Sequence, residues 1–258
     1  MDLGLSGKIV LVTGGSKGIG LACAKAFVAE GARVAIVSRS QDNIDQAMET
    51  LPGILGLTGD MANEADALTV IDRIEDRLGA IDVLVNSAGA ARRVPPDELS
   101  PAGYRAAMDA KFFSYINVID PVVKRMAARG NGTIVNIIGN GGKIASPVHV
   151  AGGAANAALM LATAGLAFAY AARGVRVVAV NPGLTQTGRV TEGLKADARL
   201  ASITEAEALA RAQAKIPVGR AAEPGEIAAM VLFLASRQAS YVTGVSISMD
   251  GASVPVII

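Results

Sequence analysis

The stretch Val10-Leu11-Val12-Thr13-Gly14-Gly15-Ser16-Lys17-Gly18-Ile19-Gly20 predicts a strand, a glycine-rich turn and the start of a helix. Gly14 permits a tight turn, Gly18 lets the backbone approach a pyrophosphate, and Gly20 lets the helix pack closely against its strand. The free N–H groups and the partial positive charge at a helix N-terminus favour phosphate binding there. The stretch therefore predicts a dinucleotide site.

The next strand, at residues 33–37, ends at Ser38 and Arg39. In dinucleotide-binding folds an acidic residue at this place binds the ribose hydroxyls of NAD(H), whereas an arginine accommodates the 2′-phosphate of NADP(H). Lys17 adds a second cation in the glycine turn. These residues favour NADP(H) over NAD(H), and the alternative is that both cations are ordinary surface residues.

Predicted strands and helices alternate along the rest of the chain. Apolar runs predict strands at 54–57, 81–85, 133–138, 175–180 and 245–248, and helical spacing predicts helices at 42–50, at 64–78, from 101 and from 224. This alternation predicts one α/β domain over residues 1–258, a Rossmann-type doubly wound parallel sheet of about seven strands with helices on both faces.

Composition limits the partners and the compartment. A net charge of +1 over 258 residues gives no electrostatic reason to expect nucleic acid or an anionic membrane as a partner. The single cysteine, Cys23, indicates a reducing compartment, and the first residues lack the pattern of a signal peptide. We therefore expect a cytoplasmic protein.

Two apolar segments predict further contacts. Residues 144–172 carry no formal charge, but prolines, glycines and Asn156 interrupt the stretch, so it favours a buried or subunit-facing helix over a membrane span. The tail at 254–258 is apolar, and if exposed it would form a subunit contact. We expect a homo-oligomer, either a tetramer or a dimer.

Several motifs together resemble those of the short-chain dehydrogenase/reductase family. Residues 13–20 match that family's cofactor turn, and Asp60 stands where its adenine-contacting aspartate stands. Residues 86–89 resemble its Asn-Asn-Ala-Gly motif with a serine at the second position, 181–187 resemble its nicotinamide-side loop, and 241–251 resemble its last strand.

The resemblance implies a small-molecule substrate, a substrate lid at residues 188–216 that includes Glu192, and no metal site. The residues expected to bind the cofactor are Gly14, Ser16, Lys17, Gly18, Ile19, Gly20, Ser38, Arg39, Asp60, Met61, Asn86, Ala88, Gly89, Asn156, Pro182, Gly183, Thr185 and Thr187.

The four residues that carry the family's usual chemistry are absent from their places. Lys111 stands where the asparagine of the proton relay is expected, and Gly139 stands at the serine that binds the substrate oxygen. Gly152 falls on the acid–base tyrosine, and Asn156 falls on the lysine four residues later, where it would hydrogen-bond the nicotinamide ribose without supplying charge.

A different pair of residues offers a proton donor. Lys111 and Tyr115 are four residues apart and share a helix face. A nearby ammonium lowers the pKa of a tyrosine, as a donor near neutral pH requires, so our hypothesis is that Tyr115 donates the proton and Lys111 tunes it. The alternative is that Tyr115, Phe112 and Phe113 form an aromatic helix contact while Lys111 reaches solvent.

His149 is the only histidine and lies in the loop ahead of Gly152. It is a second candidate for acid–base chemistry, and the alternative is a polar surface residue. The arrangement also resembles a divergent branch of the family that includes the bacilysin-pathway reductase, where the Lys-x-x-x-Tyr helix occurs as well. That relative reduces a conjugated C=C bond.

The predicted function is that of an NADP(H)-dependent oxidoreductase acting on a small carbonyl compound or a conjugated enone with a non-standard proton donor. Two alternatives stay open. One is a protein that binds the nucleotide without redox turnover, and the other is a lyase or isomerase on the same scaffold.

Overall fold

Seven parallel strands form a single sheet in the order β3-β2-β1-β4-β5-β6-β7. The computed structural model describes residues 2–89, 93–188 and 201–256, together with 190, 191, 194 and 198. The strands are β1 (Ile9–Thr13), β2 (Arg33–Ser38), β3 (Leu55–Thr58), β4 (Val83–Asn86), β5 (Gly132–Ile137), β6 (Val175–Pro182) and β7 (Ser246–Met249). The order reverses between β1 and β4, so the predicted doubly wound α/β fold is confirmed.

Helices cover both faces of the sheet. They are α1 (Gly18–Ala29), α2 (Gln41–Thr50), α3 (Glu64–Leu78), α4 (Pro101–Ala107), α5 (Ser114–Arg129), α6 (Val150–Tyr170), α7 (Glu205–Gln213) and α8 (Pro224–Ala235). A π-helical turn, Met108–Phe113, joins α4 to α5. The bounds of α3 match the prediction, whereas β3 begins one residue later than predicted because its ladder with β2 starts at Leu55.

The core has two layers because the residues of the five central strands are mostly apolar and buried, on both faces of the sheet. One cluster joins the sheet to α1 and α8, where Phe27, Ile227 and Val231 are fully buried. The other joins the sheet to α3, α5 and α6, where Tyr115 and Met126 are fully buried. The residues that follow the carboxyl ends of β1, β2, β4 and β5 line a cavity, which places a candidate site at that edge of the sheet.

Helix α6 is the apolar segment that the sequence singles out. By length and composition alone, residues 150–173 are apolar enough to cross a membrane, a test that the core helix of a globular protein also passes. Leu159 and Ala167 belong to the core cluster beneath the sheet, so α6 packs as the buried helix that the sequence favours. Its outer face exposes Leu161 and Phe168.

The apolar tail is buried at its first residue and partly exposed two residues later. Val254 is 8% exposed and belongs to the buried set, whereas Val256 is 46% exposed. Residues 257 and 258 lie outside the described part of the chain.

The predicted lid is only partly described. Helix α7 is capped by Thr204, whose side chain accepts a hydrogen bond from the backbone N–H of Glu207 at 3.2 Å. Ala198 and Ala208 are buried, so this segment packs against the rest of the chain. Glu192 lies outside the described residues.

Candidate active site

The glycine turn has the geometry that a pyrophosphate site needs. Gly14 has a φ of +65° and Gly18 one of +55°, values that favour glycine. A Cβ at Gly14 would lie 2.9 Å from the backbone of Ala88, and a Cβ at Gly20 would collide with the carbonyl oxygen of Gly14. The absence of side chains therefore lets the start of α1 lie directly over the turn, with its N–H groups facing the carboxyl end of the sheet.

A cavity of about 920 Å³ runs along this edge of the sheet. The predicted cofactor residues that line it are Gly14, Ser16, Lys17, Gly18, Ile19, Ser38, Arg39, Asp60, Met61, Ala88, Gly89, Pro182, Gly183 and Thr187, and Lys111 lines it as well. A groove of this size, cradled by glycines at a strand-order reversal, fits an extended dinucleotide.

Two cations line the cavity, Lys17 in the glycine turn and Arg39 directly after the end of β2. Both side chains are exposed, and neither takes part in an ion pair within the described part of the chain. The hydroxyl of Ser38 accepts a long hydrogen bond from the backbone N–H of Ser40 at 3.4 Å. The carboxylate of Asp60 accepts from the N–H of Ala62 at 3.1 Å, which fixes it in the turn after β3.

Four buried polar side chains form a line across the sheet at the level of the site. Thr13 donates to the Oδ1 of Asn86 at 3.3 Å, the Nδ2 of Asn86 donates to Asn136 at 3.0 Å, and Asn136 donates to Thr163 at 3.0 Å. Asn86 is therefore fully buried and holds β4 in place instead of lining the cavity. We did not predict a role for Asn136, although a lone amide within an aliphatic strand is a signal that could have identified it.

Lys111 and Tyr115 meet as their spacing predicts. The Nζ of Lys111 donates to the hydroxyl of Tyr115 at 2.8 Å and to the carbonyl oxygen of Ile137 at 3.1 Å, and it lies 4.4 Å from the centre of the tyrosine ring. The Tyr115 hydroxyl donates to the same carbonyl. Tyr115 is fully buried in the core. Lys111 is only 6% exposed, but it lines the cavity.

The π-helical turn Met108–Phe113 positions Lys111. Turns of this kind insert an extra residue into a helix and occur frequently at functional sites. Gly89, with a φ of +87°, permits the turn to lie close, because a Cβ there would collide with the carbonyl oxygen of Ala110 and approach the Oγ of Ser114 to 2.8 Å. Asp109 and Ser114 line the cavity beside Lys111, and no motif in the sequence identifies either.

Two glycines mark the places where the resemblance expects a serine and a tyrosine. Gly139 lines the cavity with a φ of +117°, and Gly152 is buried at the start of α6. Asn156 is buried nearby, with its Nδ2 3.7 Å from the Cβ position of Gly139. The assignment of these positions to a missing set of catalytic residues stays a prediction.

Six of the predicted site residues do not line the cavity: Gly20, Asn86, Thr185, Asn156, Tyr115 and His149. Thr185 is buried and donates to the carbonyl oxygen of Gly183 at 3.2 Å, so it fixes the loop after β6. In that loop Thr187 lies over the glycine turn, with its Cγ2 3.3 Å from the Cβ position of Gly18.

The parallel sheet, the glycine turn and the cavity at the strand-order reversal define a dinucleotide-binding α/β protein. A family model described as enoyl-(acyl carrier protein) reductase matches residues 14–252. The chain belongs to the short-chain dehydrogenase/reductase family, as the motifs predict, and is a short-chain oxidoreductase.

Known relatives cover the whole chain. A 3α-hydroxysteroid dehydrogenase from Mediterraneibacter gnavus is 33% identical over 259 residues, which cover 98% of this chain and 99% of that protein. L-sorbose reductase from Gluconobacter frateurii, solved with NADPH and L-sorbose, has a TM-score of 0.92 at 28% identity and covers 100% of both chains. YwfH, an NADPH-dependent reductase of bacilysin biosynthesis, has a TM-score of 0.91 at 29% identity and covers 98% and 100%.

Proposed function

We propose that the protein is an NADP(H)-dependent reductase that acts on a small carbonyl compound or a conjugated enone. The observation that carries the proposal is the course of the cavity, which starts at Ser38 and Arg39 and extends to the ammonium of Lys111. One end thus has a cation suited to a 2′-phosphate, and the other has a proton-bearing group beside Gly139, Pro182 and the nicotinamide-side loop.

The residues of the chain fit the cofactor along its length. Gly14, Gly18 and the N-terminus of α1 would hold the pyrophosphate, and Lys17 and Arg39 would hold the 2′-phosphate. Neighbouring structures that contain NADPH support this choice, including L-sorbose reductase and a ketoreductase of actinorhodin synthesis. Bound there, the cofactor would supply a hydride to one carbon of the substrate, and the residues of the chain would deliver the balancing proton.

We propose that the proton comes from the pair formed by Lys111 and Tyr115. Because the Tyr115 hydroxyl is fully buried and donates to Ile137, the member of the pair that can donate a proton into the cavity is the Nζ of Lys111. Lys111 then transfers the proton to the substrate oxygen, or to carbon in a conjugate reduction, while Tyr115 and the Ile137 carbonyl orient the ammonium. In this arrangement Tyr115 is a positioning residue, a role different from the one that its spacing first indicates.

The experiment that tests this function measures NADPH oxidation with paired saturated ketones and α,β-unsaturated carbonyls. We expect turnover on at least one member of the panel. Lys111→Met should lower kcat/KM by about 10²–10⁴-fold while leaving the Kd for NADPH unchanged. Tyr115→Phe should have a smaller effect, and Tyr104→Phe on α4, a partly exposed tyrosine, serves as its control.

Two results would contradict the proposal. Full activity in Lys111→Met would show that Lys111 does not donate the proton. Tight NADPH binding with no turnover on any substrate would favour the alternative of a nucleotide-binding protein without redox activity.

We further propose that the protein acts as a cytoplasmic homo-oligomer, a tetramer or a dimer, with residues 188–216 as its substrate lid. Phe168 is 92% exposed and Leu161 76% exposed on the outer face of α6, and a second subunit would cover them. Sedimentation velocity of the wild type and of Phe168→Glu tests the assembly.

A further inference from the structure

The imidazole of His149 fills the space that a side chain at residue 152 would occupy. A Cβ built on Gly152 would lie 2.6 Å from the Nε2 of His149 and 2.7 Å from its Nδ1. A Cβ on Gly141 would lie 2.9 Å from the Cδ2 of the same ring. The ring therefore lies in a slot between two glycines and could not lie there if either carried a side chain.

The slot adjoins the end of the cavity at which the substrate would react. Gly139 lines the cavity, and Gly141 lies two residues further along the same loop. The amide of Asn156 approaches the Cβ positions of both glycines, at 3.7 Å and 3.2 Å. His149 and Asn156 thus border the segment that the resemblance assigns to substrate binding.

The buried nitrogen of this ring has no hydrogen-bond partner among the described residues. The atom is Nδ1, and it is enclosed by protein. A ligand cannot reach an enclosed atom, so Nδ1 is the accepting side of the ring and Nε2 is the nitrogen left to donate. The ring is held in place by packing, and Nε2 is not among the buried atoms without a partner.

The surroundings of the ring keep it neutral. Burial lowers the pKa of His149 below its usual value of 6.5, and the positive charges of Arg93 and Lys111 lower the pKa further. The backbone N–H of Val94 donates to Val148 at 2.9 Å, which holds the Arg93 loop beside this one. A neutral imidazole donates through one nitrogen and accepts through the other, so it can bind a carbonyl oxygen without competing with Lys111 as the source of the proton.

We infer that His149 is a catalytic residue that donates a hydrogen bond from its Nε2 to the substrate oxygen. From the slot between Gly141 and Gly152 it replaces the contact that a serine and a tyrosine make elsewhere in the family. The inference rests on the proposed function, because it assumes a carbonyl substrate. Hydride addition places negative charge on that oxygen, and a fixed donor stabilises the charge as it forms.

Two alanine substitutions on one helix test the slot. Gly152→Ala would push the ring out, because the atoms in the way belong to a movable side chain. Gly165→Ala on α6 is the matched control, because nothing lies within 4 Å of its Cβ position and both changes gain the same helix propensity. We expect kcat/KM to fall about 10²–10³-fold in Gly152→Ala and to stay unchanged in Gly165→Ala.

Substitutions of the histidine itself separate a contact from a packing role. We expect His149→Ala to lose as much kcat/KM as Gly152→Ala, and His149→Gln, which keeps a neutral donor, to recover at least about tenfold of it. Wild-type kcat/KM in both His149→Ala and Gly152→Ala would overturn the inference.

A spectroscopic readout keeps the inference separate from the proposed function. Because the chain has one histidine, its imidazole ¹⁵N signals are assigned without ambiguity. In the protein loaded with NADP⁺, high concentrations of cyclohexanone or 2-cyclohexen-1-one should shift the signals of the wild type and of Gly165→Ala, but not those of Gly152→Ala. Unshifted wild-type signals would overturn the role of His149 even if NADPH is turned over, and a shift without turnover would overturn only the proposed function.

Discussion

Arg39 should decide which nicotinamide cofactor the protein prefers. Its exposed guanidinium lines the cavity next to Ser38 and forms no ion pair within the described part of the chain, so its charge is available to a ligand. A phosphate carries a charge of about −1.5 to −2, and each unit pair at about 4 Å in water contributes about 1 kcal/mol. Arg39→Gln should therefore cost about 2 kcal/mol, or roughly 30-fold in the Kd for NADPH.

The assay is a fluorescence titration with NADPH and, separately, with NADH. NADH lacks the 2′-phosphate, so its Kd should stay within about twofold in Arg39→Gln. The increase in the Kd for NADPH caused by Arg39→Gln should be smaller at about 1 M salt, because the screening length falls to about 3 Å. Arg33→Gln is the control, since Arg33 lies at the opposite end of β2 and donates to the carbonyl oxygen of Leu78. An equal increase in the Kd for both cofactors, or no increase in either Kd, would refute this account of Arg39.

Three further outcomes are expected. Asn136→Ala should lower the free energy of unfolding by about 2–4 kcal/mol, because it leaves the buried amide of Asn86 without its acceptor and opens a small cavity. Urea denaturation measures this change, and an unchanged midpoint would contradict the prediction. Burial raises the pKa of Cys23 to about 12, so its thiol should resist a disulfide reagent at pH 8 until urea is added. Stability should fall as pH rises from about 9 towards 12, because in that range only the unfolded chain loses the thiol proton, and Cys23→Ala should make this fall less steep. Gly139→Ser should cost about 1–3 kcal/mol in stability, because φ is +117° at this position, and it should not raise ketone turnover. A gain in turnover with no loss of stability would contradict this, because it would show that the backbone accommodates a side chain there.

The sequence was sufficient for the fold because the fold depends on local and repeating signals. The spacing of apolar residues and glycines predicts the glycine turn, the alternation of strands with helices and the bounds of α3. The partnership of Lys111 with Tyr115 was predicted for the same reason, although the segment that carries Lys111 is a π-helical turn instead of a regular helix.

Other features of the site depend on contacts between distant segments. The position of the His149 ring follows from the path of the loop between β5 and α6 and from two glycines eleven residues apart, and no periodic pattern records either. The burial of Tyr115 behind Lys111 likewise depends on how α5 packs against β5, where both side chains reach the carbonyl oxygen of Ile137.

The buried line of Thr13, Asn86, Asn136 and Thr163 has a consequence for how the chain finds its fold. The central strands have nearly interchangeable aliphatic sequences, such as Ile-Val-Leu-Val-Thr in β1 and Val-Leu-Val-Asn in β4. Several alignments of neighbouring strands would therefore bury similar apolar surface. Sliding β5 by one residue would turn Asn136 to the other face, and sliding it by two would leave both amides unsatisfied in the core. The amides thus penalise misaligned sheets, and they fix the alignment at the level where the strand ends assemble the cofactor groove.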